Sequence, residues 1–177
     1  VGYCATCDGM FYRNKTVMVI GGGNTAAADA MTLSRICEKV ILVHRRDSLR
    51  ATKVYHKQLE ETPNIEFYWN TTVSEFLYDK KLTGAKLHNV KTGEDTEIPV
   101  DGAFISIGRK PSSELFEGIL AMDKAGYIIA DESTRTNIPG VFAIGDVRTK
   151  ALRQVVTAVA DGATASHYIE EYLTHQM

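Results

Sequence analysis

The chain is predicted to be an α/β protein, and three observations predict it. A short apolar strand, Lys15 to Ile20, runs into Gly21-Gly22-Gly23 and a helical stretch rich in Ala, Met and Leu, Asn24 to Ile36. A second apolar strand, Val40-Ile41-Leu42-Val43, follows and continues a βαβ unit. Past Pro63-Asn64 the pattern changes to short, partly alternating segments of the antiparallel kind.

Taken in order, Asp47 to Glu61 reads as a second helix after the second strand. Ile65 to Trp69, Thr71 to Tyr78, Gly84 to Val90 and Thr96 to Val100 read as a small antiparallel meander, its last two strands joined by the turn residues Lys91 to Asp95. Gly102 to Ile107 has the apolar content of a buried strand. It ends at Gly108-Arg109-Lys110-Pro111, where polar residues and proline suggest a domain crossing. The expected division is therefore 1–108 and 109–177. The second part carries Tyr127-Ile128-Ile129, a strand at Val141 to Ile144 and a final helix from about Arg153 to Leu173.

Composition narrows the function classes. The 177 residues are 44% hydrophobic and 24% charged, which suits one globular domain or a domain with part of another. The net charge of −2 includes no basic run of the kind that lines a nucleic-acid surface, so nucleic acid is not an expected partner. No apolar run approaches the roughly 20 residues a bilayer span requires, and the opening Val1-Gly2-Tyr3-Cys4 shows no charged n-region or apolar h-region. Three cysteines fit a reducing compartment, so the expected location is the cytoplasm, away from membranes.

Two motifs carry chemistry. Cys4-Ala5-Thr6-Cys7 has the spacing of a redox dithiol; a zinc site would need four ligands, and no second C-x-x-C or H-x-x-x-H is present to supply them. Asp8 follows directly and is a candidate to move the proton that thiol and disulfide interconversion requires, a role compatible with a turn or cap. Cys37 closes the first helix and reads as a packed small hydrophobe.

The strand, glycine turn and helix form a Rossmann-like unit. Gly21 allows the tight bend, Gly23 lets a pyrophosphate approach the backbone, and Ala26 permits close helix packing, with Gly22, Asn24 and Thr25 completing the cradle. The second strand selects the nucleotide. NAD sites place an acid there for the ribose 2′-hydroxyl, whereas this strand ends His44-Arg45-Arg46, with Arg50 one helical turn on. Guanidinium groups suit a 2′-phosphate, so NADPH is expected; a solvated basic strand end is the plainer alternative. Gly108, at the end of the last strand, is a further candidate for this site. A hydride carries two electrons, and dithiols usually receive such a pair through a flavin, so a flavin site is expected as well.

Five motifs in order resemble the bacterial low-molecular-weight thioredoxin reductases: Cys4 to Gly9, Gly21 to Ala26, His44 to Asp47, Ile138 to Val147 and Arg153-Gln154-Val155. The resemblance implies a three-layer NADPH-binding domain with its meander over 1–108 and the C-terminal part of an FAD-binding domain over 109–177. It also implies that Asp146, with Gly145, meets the flavin ribityl chain, and that Arg153, Gln154 and Val155 meet the ring. In the implied mechanism NADPH reduces FAD, Cys7 faces the flavin, Cys4 attacks the thioredoxin disulfide and Asp8 manages the proton. A homodimer is implied for the full-length protein. A rotating nicotinamide domain, with hinges near residue 1 and Gly108, would let one cysteine pair serve both steps. Met10-Phe11-Tyr12 stands where the family has aromatic residues for docking thioredoxin, with core packing as the alternative.

The family's first glycine-rich turn, which binds the FAD pyrophosphate, has no counterpart here, so the chain is expected to be a fragment of such an enzyme, inactive alone; the alternatives are a truncated NADPH-binding module without turnover and a related disulfide reductase for another carrier protein. Ala28 also stands where the family often has an acid, and only Asp29 of that pair is kept.

Overall fold

The computed structural model describes residues 1–175. The chain divides into two compact units, Val1–Gly108 and Arg109–Met177.

The first unit is built on a four-stranded parallel sheet in the order β3-β2-β1-β7, with β1 Thr16–Ile20, β2 Lys39–His44, β3 Ile65–Trp69 and β7 Gly102–Ile105. β1 is central, pairing Val17 with Val40 on one side and with Gly102 on the other. Strands covered on both faces need apolar residues at successive positions, which Val17-Met18-Val19 and Val40-Ile41-Leu42-Val43 supply. Alternation then sends Val17, Val19, Val40, Leu42 and Phe104 into one cluster, against Ala26, Ala27, Ala30 and Leu33 of α2 (Asn24–Ser34) and Leu59 of α3 (Lys53–Glu60). Met18, Ile41, Val43 and Ala103 enter the opposite cluster with Ala85, Leu87 and Ile98. Those three come from the antiparallel sheet β4-β5-β6, with β4 Thr71–Tyr78, β5 Leu82–Asn89 and β6 Asp95–Pro99. The predicted three layers are present: helices, parallel sheet, antiparallel sheet.

Two sequence expectations need correction. Ile65 to Trp69 belongs to the parallel sheet, not to the meander, because the crossover through α3 brings β3 alongside β2 in register from Val40 opposite Ile65 to His44 opposite Trp69. Residues 47–52 are not helical. Their backbone is tied to the glycine turn instead: Arg50 and Ala51 N–H donate to the Gly22 carbonyl at 2.7 and 3.0 Å, and Thr52 N–H donates to Asn24 Oδ1 at 2.8 Å. The N-terminal segment is also fastened to the sheet. Gly2 lies parallel to Phe104, its N–H donating to Ala103 O and its carbonyl accepting from Ile105 N–H.

In the second unit, Leu120, Ile128, Ala130 and Ala143 form a small core. The strand expected at Val141 to Ile144 is reduced to an isolated bridge of Phe142 with Arg135, and Ile128 likewise bridges only to Met122 and Arg148. Each segment meets a partner at a single residue, too few for a ladder. The final helix is present as α4, Val155–Thr174.

Beneath α4 lies a group of buried charges. Asp161 accepts from Arg148 Nε and Nη2 at 2.9 and 2.7 Å, from Lys150 Nζ at 2.7 Å and from Gly145 N–H at 2.8 Å. Those donors, the Arg148 guanidinium foremost, hold the Asp161 carboxyl well below the usual carboxylate range despite its burial.

Candidate functional site

The cysteine pair sits on α1 (Ala5–Asp8), a single turn whose N-cap is Cys4; Cys7 N–H donates to Cys4 Sγ at 3.1 Å. A three-residue spacing over one turn brings the two sulfurs to the same face, and Cys4 and Cys7 form a disulfide with Cα atoms 5.2 Å apart. Cys7 is exposed and Cys4 half-buried. Asp8 folds back toward the sheet: a Cβ built on Gly2 would lie 3.2 Å from its carboxylate. Tyr3, Met10 and Phe11 are 65%, 60% and 76% exposed, so the disulfide is set among apolar surface. Tyr12 instead packs its ring edge-on against Phe104 and is half-buried.

Cys37 stands apart, buried, and burial pushes its thiol up to about 11. The neutral thiol is stabilising up to its ordinary pKa near 9, and that contribution is lost as pH rises through the folded value. Alkylation of the native protein at pH 8 is therefore expected to leave Cys37 unmodified, and denaturation without reductant to expose it as the one reactive thiol. Peptide mass mapping checks this; Cys37 found in a bridge, or Cys4 alkylated without reductant, would contradict it.

A cavity of about 760 Å³ opens at the carboxyl ends of β1, β2 and β7. Three glycines shape it in different ways. At Gly21, with φ +149°, a Cβ would stand 2.3 Å from the Ser106 carbonyl oxygen and 3.0 Å from the Ala26 side chain, so the bend and the close helix packing are two sides of one contact. At Gly22 a Cβ would meet the His44 ring at 2.2 Å, and at Gly23 it would meet nothing within 4 Å. Gly23 is thus the open face where a phosphate can reach backbone N–H groups at the start of α2.

Of the residues expected here, Gly21, Gly22, Gly23, Thr25, His44, Arg45, Arg50 and Gly108 line the cavity. Asn24 and Arg46 do not. Asn24 uses its side-chain oxygen to hold Thr52, and the Arg46 carbonyl accepts from Asn70 N–H. Arg50 reaches the cavity because its loop is hydrogen-bonded to Gly22, a connection between turn and loop that sequence spacing did not show. Also unforeseen is the opposite wall, formed by Thr71 to Phe76 of β4. Nothing in the periodicity of β4 marks it as a cavity wall, since that depends on how the two sheets pack.

The electrostatics favour an anion. His44 is buried, and its Nε2 finds no partner among the described residues. Burial, then the positive charges of Arg50, Arg46 and Arg45, push its pKa down, with a backbone hydrogen bond at Ser48 opposing them. His44 is therefore neutral at pH 7, while three exposed guanidinium groups are concentrated beside it. This arrangement fits a phosphorylated nucleotide.

In the second unit, Gly145 takes φ +73° at the start of a 3-10 turn, Gly145–Val147, and leaves Asp146 exposed. Arg153 does not extend into solvent. Its guanidinium stacks on Tyr127 at 3.8 Å and donates to the Asp146 and Arg148 carbonyls, both at 3.3 Å. Gln154 caps α4, its N–H donating to Thr157 Oγ1 at 3.1 Å, and Val155 is 82% exposed beside it. A glycine turn beside a helix N-terminus suits an electron-rich group. Among the described residues no group of three or more His, Cys, Asp or Glu side chains could hold a metal ion.

Residues 1–162 match the family described as pyridine nucleotide-disulphide oxidoreductase. The chain is 45% identical over 174 residues to the thioredoxin reductase of Listeria monocytogenes and 48% identical over 174 residues to that of Streptomyces coelicolor, covering 98% of this chain and 54% of each relative. The crystal structure of thioredoxin reductase from Streptococcus pyogenes superimposes with a TM-score of 0.93 at 41% identity, over 98% of this chain and 57% of that one. The chain spans about half the length of the curated relatives it matches.

Proposed function

The chain belongs to the pyridine nucleotide-disulphide oxidoreductase family, and on that premise we propose that it is the NADPH-binding and disulfide-bearing part of a flavin-dependent thioredoxin-disulfide reductase. The observation that carries this is the presence, on one sheet, of the arginine-rimmed cavity at the ends of β1 and β2 and of a disulfide whose segment is hydrogen-bonded to β7.

NADPH would supply a hydride, and a bound flavin would relay the electron pair to the disulfide. The chain's own residues then have separable tasks. Gly23 and the first amides of α2 receive the pyrophosphate, and Arg45 and Arg50 hold the 2′-phosphate, with the charge of Arg46 adding to the field. Gly145, Asp146 and the start of α4 at Gln154 and Val155 receive part of the flavin, while Arg153 holds the Asp146 and Arg148 carbonyls that shape that turn. Reduction of the Cys4–Cys7 disulfide adds two electrons and two protons, giving two thiols, with Asp8 carrying a proton. Cys4 as thiolate attacks the disulfide of thioredoxin, forming a mixed disulfide; Cys7 displaces it, so the Cys4–Cys7 bond returns and thioredoxin leaves reduced. Tyr3, Met10 and Phe11 offer the apolar surface for that encounter. A homodimer and a cytoplasmic location belong to the same proposal. Among the described residues no helix is long and apolar enough to cross a membrane.

The 177-residue chain is expected to bind NADPH but to retain no stoichiometric FAD and to reduce no thioredoxin. Among the described residues the one glycine turn of the pyrophosphate-binding kind, strand to helix, is taken by NADPH. Val155, Val156 and Val159 are 82%, 72% and 67% exposed along α4, and this apolar surface is expected to make the chain self-associate. Visible absorbance, nucleotide titration and an insulin-coupled thioredoxin assay check this. A yellow chain carrying one FAD and reducing thioredoxin with NADPH would overturn the proposal that these residues receive only part of the flavin. A chain that binds neither NADPH nor NADH would overturn the assignment of the cavity.

A further inference from the structure

We propose that Asp29 is a positioning residue for the nucleotide cavity, acting through Ser106 on Gly21 and on the strand end that closes the cavity. The inference rests on reading the cavity as the NADPH site.

Asp29 lies on α2, the helix whose first turn contributes Thr25 to the cavity lining, and its carboxylate is tied to Ser106 on the neighbouring strand end. The Ser106 hydroxyl donates to Asp29 Oδ2 at 2.6 Å across 77 residues of sequence. Ser106 is only 4% exposed, and its other two groups are also committed. Its N–H donates to the Ile20 carbonyl at 2.8 Å, joining the ends of β1 and β7, and its carbonyl is the atom that leaves no room for a Cβ on Gly21.

Gly21 is held from the far side as well, its N–H donating to Val43 O at 3.0 Å. The first glycine of the turn is therefore confined between β2 and the Ser106 peptide, and Asp29 fixes the rotation of that peptide from α2. The two residues that follow Ser106, namely Ile107 and Gly108, form the rim of the cavity. Ile107 is 69% exposed, and Gly108 is exposed with room for a Cβ that would meet nothing within 4 Å, so neither is held by packing of its own. Without the Asp29 tie, the turn and the rim lose their common reference.

The test is NADPH titration of the full chain and of Asp29→Ala, Asp29→Asn, Ser106→Ala and the double alanine variant, with thermal melting of each. Either alanine variant is expected to weaken NADPH binding about five- to tenfold, and the double variant to be no worse than about twofold beyond either single one, because both remove the same tie. Asp29→Asn keeps an acceptor for the Ser106 hydroxyl and is expected to stay within about twofold of the unaltered chain. If Asp29→Ala fails to fold, Ser106→Ala decides alone. Alanine variants that melt earlier but bind NADPH as before would overturn the proposal, as would effects that multiply in the double variant. An unaltered chain with no affinity for NADPH would overturn the cavity assignment and this inference with it.

Discussion

Replacing Arg45 and Arg50 together by alanine is expected to weaken NADPH binding about 100-fold or more while changing NADH binding by no more than about threefold. Each guanidinium makes a charge-assisted contact available to the 2′-phosphate, worth about 1.5–3 kcal/mol, and the exposure of both side chains places the pair at the lower end of that range. Arg46 does not line the cavity, so Arg46→Ala is expected to cost only a few-fold, through the lost long-range field. Calorimetric titration with both nucleotides, at low and at high salt, separates these contributions. Equal losses for NADPH and NADH would show that the arginines act on the pyrophosphate or on the fold. His44 adds a pH dependence. Its folded pKa lies below the ordinary 6.5, so its contribution to stability is complete above that pH and is lost as pH falls through the lowered value.

Asp161→Ala is expected to destabilise the second unit by about 3–5 kcal/mol, because it leaves the buried Arg148 and Lys150 without their shared carboxylate and Gly145 N–H without its acceptor. The first unit contains none of these groups, so NADPH affinity is expected to be unchanged. Lys150→Met should be neutral or stabilising, since it removes the surplus cation and keeps the paired Arg148 and Asp161 contacts. The sign with pH follows from the lowered carboxyl pKa. The stabilisation is fully present above the ordinary value of 3.8 and is lost as pH falls toward the folded one, so the unaltered chain should lose stability steeply below about pH 4 and Asp161→Asn less so. Thermal melting between pH 2 and 7 measures both effects. An Asp161→Ala chain that melts with the unaltered one would show the charge group to be unimportant.

Features set by local pattern are legible in the residues alone. β1, β2 and β7 were legible because strands covered on both faces must be apolar at successive positions, and α2 because its alanines recur with the helical period. The Cys4–Cys7 pair and the Gly21 to Gly23 turn were legible because their geometry is set within three residues. Features that depend on elements distant in sequence emerge only from the packing of the folded chain. β3 looks like a meander strand until the α3 crossover places it beside β2. The segment 47–52 has a helical composition, yet its amides are taken by Gly22 and Asn24, and from there Arg50 lines the cavity whereas Arg46 does not. Arg153 is a flavin-contact candidate by resemblance, and only the packed chain shows that its guanidinium also stacks on Tyr127 and braces the Asp146 and Arg148 carbonyls. Asp29 with Ser106, and Asp161 with Arg148 and Lys150, carry no local signal. A buried polar group is satisfied by whichever partner the fold brings near, and only the packed chain specifies that partner.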